Sequence, residues 1–295
     1  MRNLFRAEWI KVAGNRWVAG CLIWIFPVGG IAFIALAALI LALSPAARDG
    51  FEEDGPSLWT EQAVGVWNLA NNPVGRLILL SFTAVVFAGE YQWSTWKNVV
   101  PRNRRTSLIL FKFLVLGTFV VTAFVLMSIL WSLGWGGLTL IAGASYGPAI
   151  SSKVLSDFAQ DYALQAGMTF TATIIGAGYA ALAAMATRSI LGGVLVGFGV
   201  TFAENLSIVA FVIIGYFLKI PRVVHLYRFT PGYNLINITE WVNNNAPSKM
   251  DVDVGSGNTV MLSNSLELSL FVLAVWVIGL IALTAYLFRR QDITS

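Results

Sequence analysis

Long apolar runs alternate with short polar segments along the whole chain. A helix needs about 20 residues to cross the roughly 30 Å hydrocarbon core of a bilayer, and six runs reach that length. We predict spans at about 17–43, 74–96, 109–133, 162–187, 189–218 and 266–288. The pattern predicts an all-α polytopic membrane protein with six transmembrane helices in a single transmembrane domain, 1–295, and an even number of spans places both termini on one side.

Composition agrees with this class. Hydrophobic residues make up 57% of the chain and charged residues 12%, and the mean hydropathy is +0.73. That is too little polar surface to cover a soluble protein of 295 residues. We therefore expect a chain that lies in the bilayer.

The first 16 residues predict a short helix that lies in the membrane interface. Apolar side chains recur there at helical spacing, namely Phe5, Trp9, Val12 and Ala13. The charged candidates of this interfacial elbow are Glu8, Lys11 and Arg16. A secretory signal would have an apolar region of about 7 to 15 residues, whereas the run 17–43 is longer, so we expect a retained span.

The distribution of basic residues predicts the orientation. Twelve of the 19 Lys and Arg residues precede the first span, lie between the second and third spans or at the start of the third (Lys112), lie between the fourth and fifth, or follow the sixth. Both termini and the elbow at 90–107 are therefore expected in the cytoplasm, in a plasma or inner membrane. The net charge of +4 reflects contact with anionic lipid, and no nucleic acid partner is expected.

Cysteine and histidine offer little chemistry. Cys21 and His225 are each the only residue of their type, so the chain can form no internal disulfide, and neither a cysteine-based zinc site nor a two-histidine zinc helix has enough ligands. We expect no metal.

Gly193 and Gly197 form a small-xxx-small pattern in the fifth predicted span. Such pairs let two helices approach closely. The pattern fits close packing of helices within one subunit, and it also fits an interface between two subunits.

Glu204 is the one charged residue in the run 189–218. If that helix is straight, Glu204 lies near the middle of the bilayer, where an acidic residue usually faces a cavity or a partner. Two interpretations stay open: a protonated or hydrogen-bonded structural acid, and a role in a substrate path or in helix gating.

Residues 143–147 match the hydrolase motif G-x-S-x-G, and Asp157 or Asp161 and then His225 follow Ser145 in the hydrolase order. The motif has catalytic meaning only at a sharp turn from a strand into a helix. Here it follows an apolar span in a Gly-rich loop, which favours a flexible turn.

The segment 219–264 is the longest polar stretch and is expected on the outer side. One short amphipathic helix fits after Pro231 and Gly232, and Asn237 to Thr239 forms a glycosylation sequon. We expect a small outer cap.

Three groups of residues resemble a known family. The first is Glu8-Trp-Ile-Lys11 with Arg16; the second is Gly89-Glu90, Thr95-Trp-Lys97, Pro101, Arg104-Arg105 and Lys112; the third is Phe288-Arg-Arg-Gln-Asp-Ile293. With the number and order of spans, they resemble the permease subunit of an ATP-binding-cassette (ABC) transporter, specifically the six-span type 2 exporter permeases. Ser94-Thr95 departs from the Gly-Thr expected there.

The resemblance implies that the elbow is a coupling helix that docks on a separate ATPase subunit. Glu90, Lys97, Arg102, Arg104 and Arg105 would then transmit nucleotide-driven movement. It also implies two ATPase copies, a second permease chain, identical or homologous, and ATP with Mg²⁺ bound only by the partner. The same basic residues also fit a simple positive-inside anchor.

The residues themselves add one point. No Lys is followed by Ser or Thr, so the phosphate-binding pattern G-x-x-x-x-G-K-[ST] is absent, and we expect a transport subunit without enzyme activity. The alternatives are a secondary transporter driven by an ion gradient and, less favoured, a membrane-bound serine hydrolase.

Overall fold

The computed structural model describes residues 2–53, 56–93, 104–255 and 259–291. It is 84% helical, and in the described ranges five helices are long and apolar enough to span a membrane. A sixth candidate consists of two consecutive helices bent by 59° at a short break. The chain is therefore an all-α polytopic membrane protein.

Helical segments make up most of the described chain. In chain order they are α1 (Arg2–Gly14), α2 (Arg16–Leu22), α3 (Ile25–Leu43), α4 (Pro45–Glu53), α5 (Trp59–Gly65), α6 (Pro73–Gln92), α7 (Arg105–Ala142), α8 (Ser152–Thr187), α9 (Ile190–Asn205), α10 (Ser207–Leu218), α11 (Pro231–Asn244) and α12 (Leu266–Arg290). Two 3-10 helices, Val66–Ala70 and Pro221–Phe229, add to these. The strands are β1 (Ser57–Leu58), β2 (Tyr146–Gly147), β3 (Met250–Asp253) and β4 (Thr259–Leu262).

Helix bounds differ from the predicted spans in the bent fifth run and in three others. The first run is divided between α2 and α3, with a break at Ile23 and Trp24. Helices α7 and α8 have 38 and 36 residues, so each is more than about 50 Å long and exceeds the hydrocarbon thickness. Hydropathy marks only their apolar portions, whereas the polar residues beyond these portions continue the helix.

Contacts between Cα atoms divide the chain into two compact units. The first comprises Met1–Phe82 and Leu114–Phe170, and the second comprises Thr83–Phe113 and Thr171–Ser295. Each unit contains at least one complete candidate span, α3 in the first and α12 in the second.

Aromatic side chains hold the first unit together. Trp9 of α1 stacks on Phe119 of α7, with ring centroids 4.2 Å apart. Trp67 is buried, stacks on Phe124 and meets Tyr162 edge to face. Strands β1 and β2 form a short parallel pair. The N-terminal helix is thus fixed to a candidate span by an aromatic stack.

The second unit includes the segment from the second 3-10 helix to β4. That 3-10 helix packs against α10, helix α11 packs against α12, and β3 pairs with β4 in an antiparallel hairpin. The core of this segment is formed by Val224, Tyr227, Tyr233, Val252, Val254 and Leu262. A small apolar core therefore stabilises it, and α11 lies in the segment where the sequence leaves room for one short helix.

Two glycines let α9 approach α8 closely in the second unit. A Cβ atom on Gly193 would lie 2.8 Å from the Cβ of Ala184, and one on Gly197 would lie 2.8 Å from the Cβ of Ala180. Both distances are below van der Waals contact. The pair thus serves helix packing within the chain.

Candidate functional site

The predicted coupling elbow is described only at its two ends. Lys97 and Arg102 lie outside the described residues, whereas Glu90, Arg104 and Arg105 lie within them. Glu90 belongs to the last turn of α6, and the two arginines stand at the start of α7. The described part of the elbow therefore consists of the end of α6 and the start of α7.

A buried ion pair joins α6 to α7. The Lys112 ammonium lies 2.8 Å from Glu90 Oε1 and also donates to the carbonyl of Val86 at 2.9 Å. Both charged residues are almost completely buried, Glu90 at 3% and Lys112 at 1% exposure. A buried pair of this kind is costly to break, because removal of one member leaves the other charged in an apolar setting.

Arg105 joins α7 to the end of α12. Its Nη1 donates to the carbonyls of Arg289 at 3.0 Å and Gln291 at 2.8 Å, and its guanidinium lies over the Phe288 ring. The last carbonyls of a helix have no intrahelical donor, and a cation there also complements the helix dipole. Arg105 thus acts as a cap for α12.

Gln291 brings two further helix ends to the same place. It accepts a hydrogen bond from the Tyr91 hydroxyl, and its Nε2 donates to the carbonyl of Met185 at 2.6 Å. The guanidinium of Arg188 lies over the Tyr91 ring. We call Glu90, Tyr91, Arg105, Lys112 and Gln291 the elbow cluster. It connects the ends of α6, α8 and α12 with the start of α7.

The structure separates residues that the sequence grouped as coupling residues. Glu90 is buried and Arg105 is turned onto α12, whereas Arg104 is exposed. Among the three described members, therefore, only Arg104 exposes its side chain fully to the surroundings. Sequence reasoning missed Tyr91 and Gln291 as members of the site, since they are 200 positions apart and no motif relates them.

The N-terminal candidates lie in the first unit. Glu8 is 1% exposed and pairs with Lys11 at 3.0 Å, while Arg16 is exposed. Ala13 is exposed as well. The inner face carries Glu8 and Val12: the ion pair with Lys11, one turn away, helps an acidic side chain to be buried there.

Glu204 lies in the last turn of α9, just before the 59° bend. The run is therefore bent, and the condition of a straight helix, on which a position near the middle of the bilayer depended, is not met. Its Oε1 accepts the backbone N–H of Gly232 at 3.0 Å, and its Oε2 accepts the Tyr179 hydroxyl at 3.4 Å. The side chain is half-buried. Both donors are neutral, so the carboxylate is held by hydrogen bonds with partial charges.

Tyr227 adds to the polar surroundings of Glu204. Burial raises the pKa of the Tyr227 hydroxyl, and the charge of Glu204 raises that pKa further. The hydroxyl therefore stays protonated across the physiological range.

The glycosylation sequon is not accessible in the folded chain. Asn237 is buried, and its Nδ2 donates to the Asn264 carbonyl at 3.0 Å and to Ser269 Oγ at 2.8 Å. Its Oδ1 accepts the Ser248 N–H. The nitrogen that glycosylation would modify is thus used to hold α11 against the start of α12.

The G-x-S-x-G motif follows the end of α7 at Ala142. Gly143 adopts a φ of +78°, and the short strand β2 comes after Ser145, not before it. A nucleophile elbow requires a strand that leads into the serine. The local structure is a turn between two helices.

Within the described ranges, no group of three or more His, Cys, Asp or Glu side chains could hold a metal ion. The candidate sites in these ranges are thus a cluster of charged and polar groups at converging helix ends, and an acid at a helix break. Comparisons of the chain with protein-family models, with curated proteins and with solved structures found no match.

Proposed function

We propose that the chain is the permease subunit of an ABC exporter, which moves a substrate outward with ATP hydrolysed by a separate ATPase subunit. The observation that carries the proposal is the elbow cluster. It ties both ends of the elbow to each other and to the ends of α8 and α12. Four residues of the resemblance belong to this cluster, namely Glu90, Arg105, Lys112 and Gln291.

A coupling element must pass a force to several helices at once. The Glu90 and Lys112 pair joins α6 to α7, Arg105 joins α7 to α12, and Gln291 joins α12 to α8. A pull on the elbow would therefore displace four helix ends together. This is the behaviour required if closure of two ATPase subunits biases the membrane helices toward an outward-open arrangement.

The remaining parts of the proposal follow the sequence. Exposed Arg104, with Lys97 and Arg102, would supply the positive charge that docks on the ATPase, and both termini would be cytoplasmic in a plasma or inner membrane. Two permease chains would form the pathway, and ATP with Mg²⁺ would be bound by the partner.

The test is a charge reversal at the elbow, Arg104→Glu, followed by purification from the native host in mild detergent. We expect at least about tenfold less co-purified ATPase, because like charges placed opposite each other cost several kcal/mol. The permease should still fold, since Arg104 is exposed. Partner recovery is measured by mass spectrometry.

The matched control is Arg289→Glu, an exposed basic residue in the last turn of α12. A positive-inside anchor predicts the same small effect for both reversals. Equal recovery of the ATPase with both variants would therefore assign the basic elbow to anchoring and remove the docking role.

A second candidate function has one observation in its favour. Secondary transporters bind their substrates at discontinuous helices, and the α9 and α10 pair is broken next to Glu204. Transport into native membrane vesicles discriminates between the two functions. An ABC exporter requires ATP and tolerates a protonophore, whereas a secondary transporter shows the reverse.

A further inference from the structure

Glu204 stands where two helices of the bent pair meet. Helix α9 ends at Asn205 and α10 begins at Ser207. At the break the Ser207 hydroxyl donates to the Glu204 carbonyl at 2.6 Å, which satisfies a backbone acceptor that the bend exposes. The backbone at the bend and the acidic side chain therefore belong to the same turn.

The carboxylate of this turn reaches the first turn of α11. Thr230 is the N-cap of α11 and accepts the N–H of Tyr233. Gly232 is the second helical residue, and a backbone N–H at that position has no intrahelical acceptor. Glu204 Oε1 supplies one at 3.0 Å, and its negative charge faces the positive end of the helix dipole.

Helix α11 is itself fastened to α12. The two helices pack along their length, and Asn237 donates to Ser269 in the first turn of α12. The Trp276 indole N–H of α12 also donates to the Phe229 carbonyl, next to the N-cap of α11. The hydrogen bond between Glu204 and α11 therefore connects the bend to α12, a candidate span.

We propose that the Glu204 carboxylate is a latch, a positioning group that fixes the bend between α9 and α10 to the first turn of α11. A change in the bend then requires the carboxylate to leave Gly232. The further step, that the latch opens during transport, rests on the proposed function. Glu204 need not contact a substrate to act as a latch.

Hydrogen exchange of the isolated chain in detergent micelles tests the latch, with the Gly232 amide as the probe. We expect Glu204→Leu to speed exchange about 10- to 100-fold, because it removes a hydrogen bond to a charged group. Glu204→Gln keeps an acceptor oxygen and loses only the charge, so we expect about 2- to 5-fold. This graded order is specific to a latch.

Glu267→Gln is the matched control. Glu267 is an exposed carboxylate in the first turn of α12, so the same change of charge occurs at a helix start without a link between helices. Exchange at Gly232 should stay as in the parent chain. Unchanged exchange at Gly232 in Glu204→Leu overturns the latch.

The gating step is tested by a covalent latch. In a Cys21→Ser background, which contains no other cysteine, Glu204→Cys and Gly232→Cys are joined by a short bis-methanethiosulfonate cross-linker, which forms a disulfide with each thiol and releases methanesulfinate. We expect ATP hydrolysis by the co-purified complex in lipid nanodiscs to fall at least about tenfold and to recover when a reductant cleaves the link. An unchanged rate after complete cross-linking overturns gating.

Co-purification of the ATPase and hydrogen exchange at Gly232 test the proposed function and the latch separately. If no ATPase co-purifies with the chain, the proposed function is contradicted, and hydrogen exchange of the chain alone still decides the latch. If the exchange rate of the Gly232 amide is unchanged in Glu204→Leu while the ATPase still co-purifies, the latch is contradicted and the proposed function stands.

Discussion

Glu90 and Glu204 each interrupt a long apolar run, and the folded chain holds them in different ways. Glu90 is buried against the ammonium of Lys112 at 2.8 Å. Glu204 is half-buried and accepts from a backbone N–H and a tyrosine hydroxyl. The described contact of Glu90 is with a full charge, whereas the two described contacts of Glu204 are with neutral groups.

The difference indicates different mechanical roles. Separation of a buried pair leaves two uncompensated charges in an apolar setting, which costs several kcal/mol. Release of a carboxylate from a helix N-terminus costs about 1 to 3 kcal/mol. The Glu90 contact therefore fits a joint that stays closed, and the Glu204 contact fits one that can open and close.

The largest predicted effect comes from removal of the partner charge at the closed joint. Lys112→Met should lower the free energy of unfolding by about 3 to 5 kcal/mol, because Glu90 stays buried without the Lys112 ammonium. The measurement is unfolding by dodecyl sulfate in mixed micelles, followed by circular dichroism.

The control for this prediction is the double change Glu90→Gln with Lys112→Met, which removes both charges. We expect the double variant to regain most of the lost stability, since an ion pair and a neutral replacement of similar volume are often equivalent. If the double variant is as unstable as Lys112→Met, packing rather than charge holds the joint.

A smaller effect is expected at the contact between α7 and α12. Arg105→Ala removes the guanidinium that caps α12 and lies over Phe288, and it should cost about 1 to 3 kcal/mol. Arg104→Ala, at the exposed neighbour, should change stability by less than about 0.5 kcal/mol. The same titration measures both, and equal losses would contradict the different placement of the two arginines.

The sequence predicts the class of the protein because apolar runs of sufficient length report directly on the bilayer. It also predicts the elbow as the place where charge gathers. The sequence does not predict which residues pair with each other at the elbow. Lys112 lies 22 positions from Glu90, and Gln291 lies 106 positions from Met185. Such contacts depend on how helices pack, and hydropathy does not record packing.

The bend next to Glu204 could not be predicted from the sequence for a related reason. Hydropathy is continuous from 189 to 218, so the run reads as one span. The contact made at the bend comes from outside the run, since the carboxylate accepts the Gly232 N–H in the first turn of α11, 28 positions later. For Gly193 and Gly197 the sequence left open packing within one subunit and an interface between two subunits, and the structure identifies Ala184 and Ala180 as their neighbours within the chain.

The smallest predicted effect comes from the change of Glu to Gln at position 204, and the same change at position 90 gives a direct comparison of the two acids. Glu204→Gln should lower the free energy of unfolding by only about 0.3 to 1 kcal/mol, because the amide oxygen still accepts the Gly232 N–H and only the interaction with the helix dipole is lost. Glu90→Gln should cost several times more, because the buried Lys112 ammonium loses its carboxylate. Mixed-micelle titration of the two variants in parallel gives the ratio. A ratio near one between the two losses in free energy of unfolding would mean that the contacts of both acids are equally strong. The Glu204 contact would then be no easier to open than the Glu90 contact.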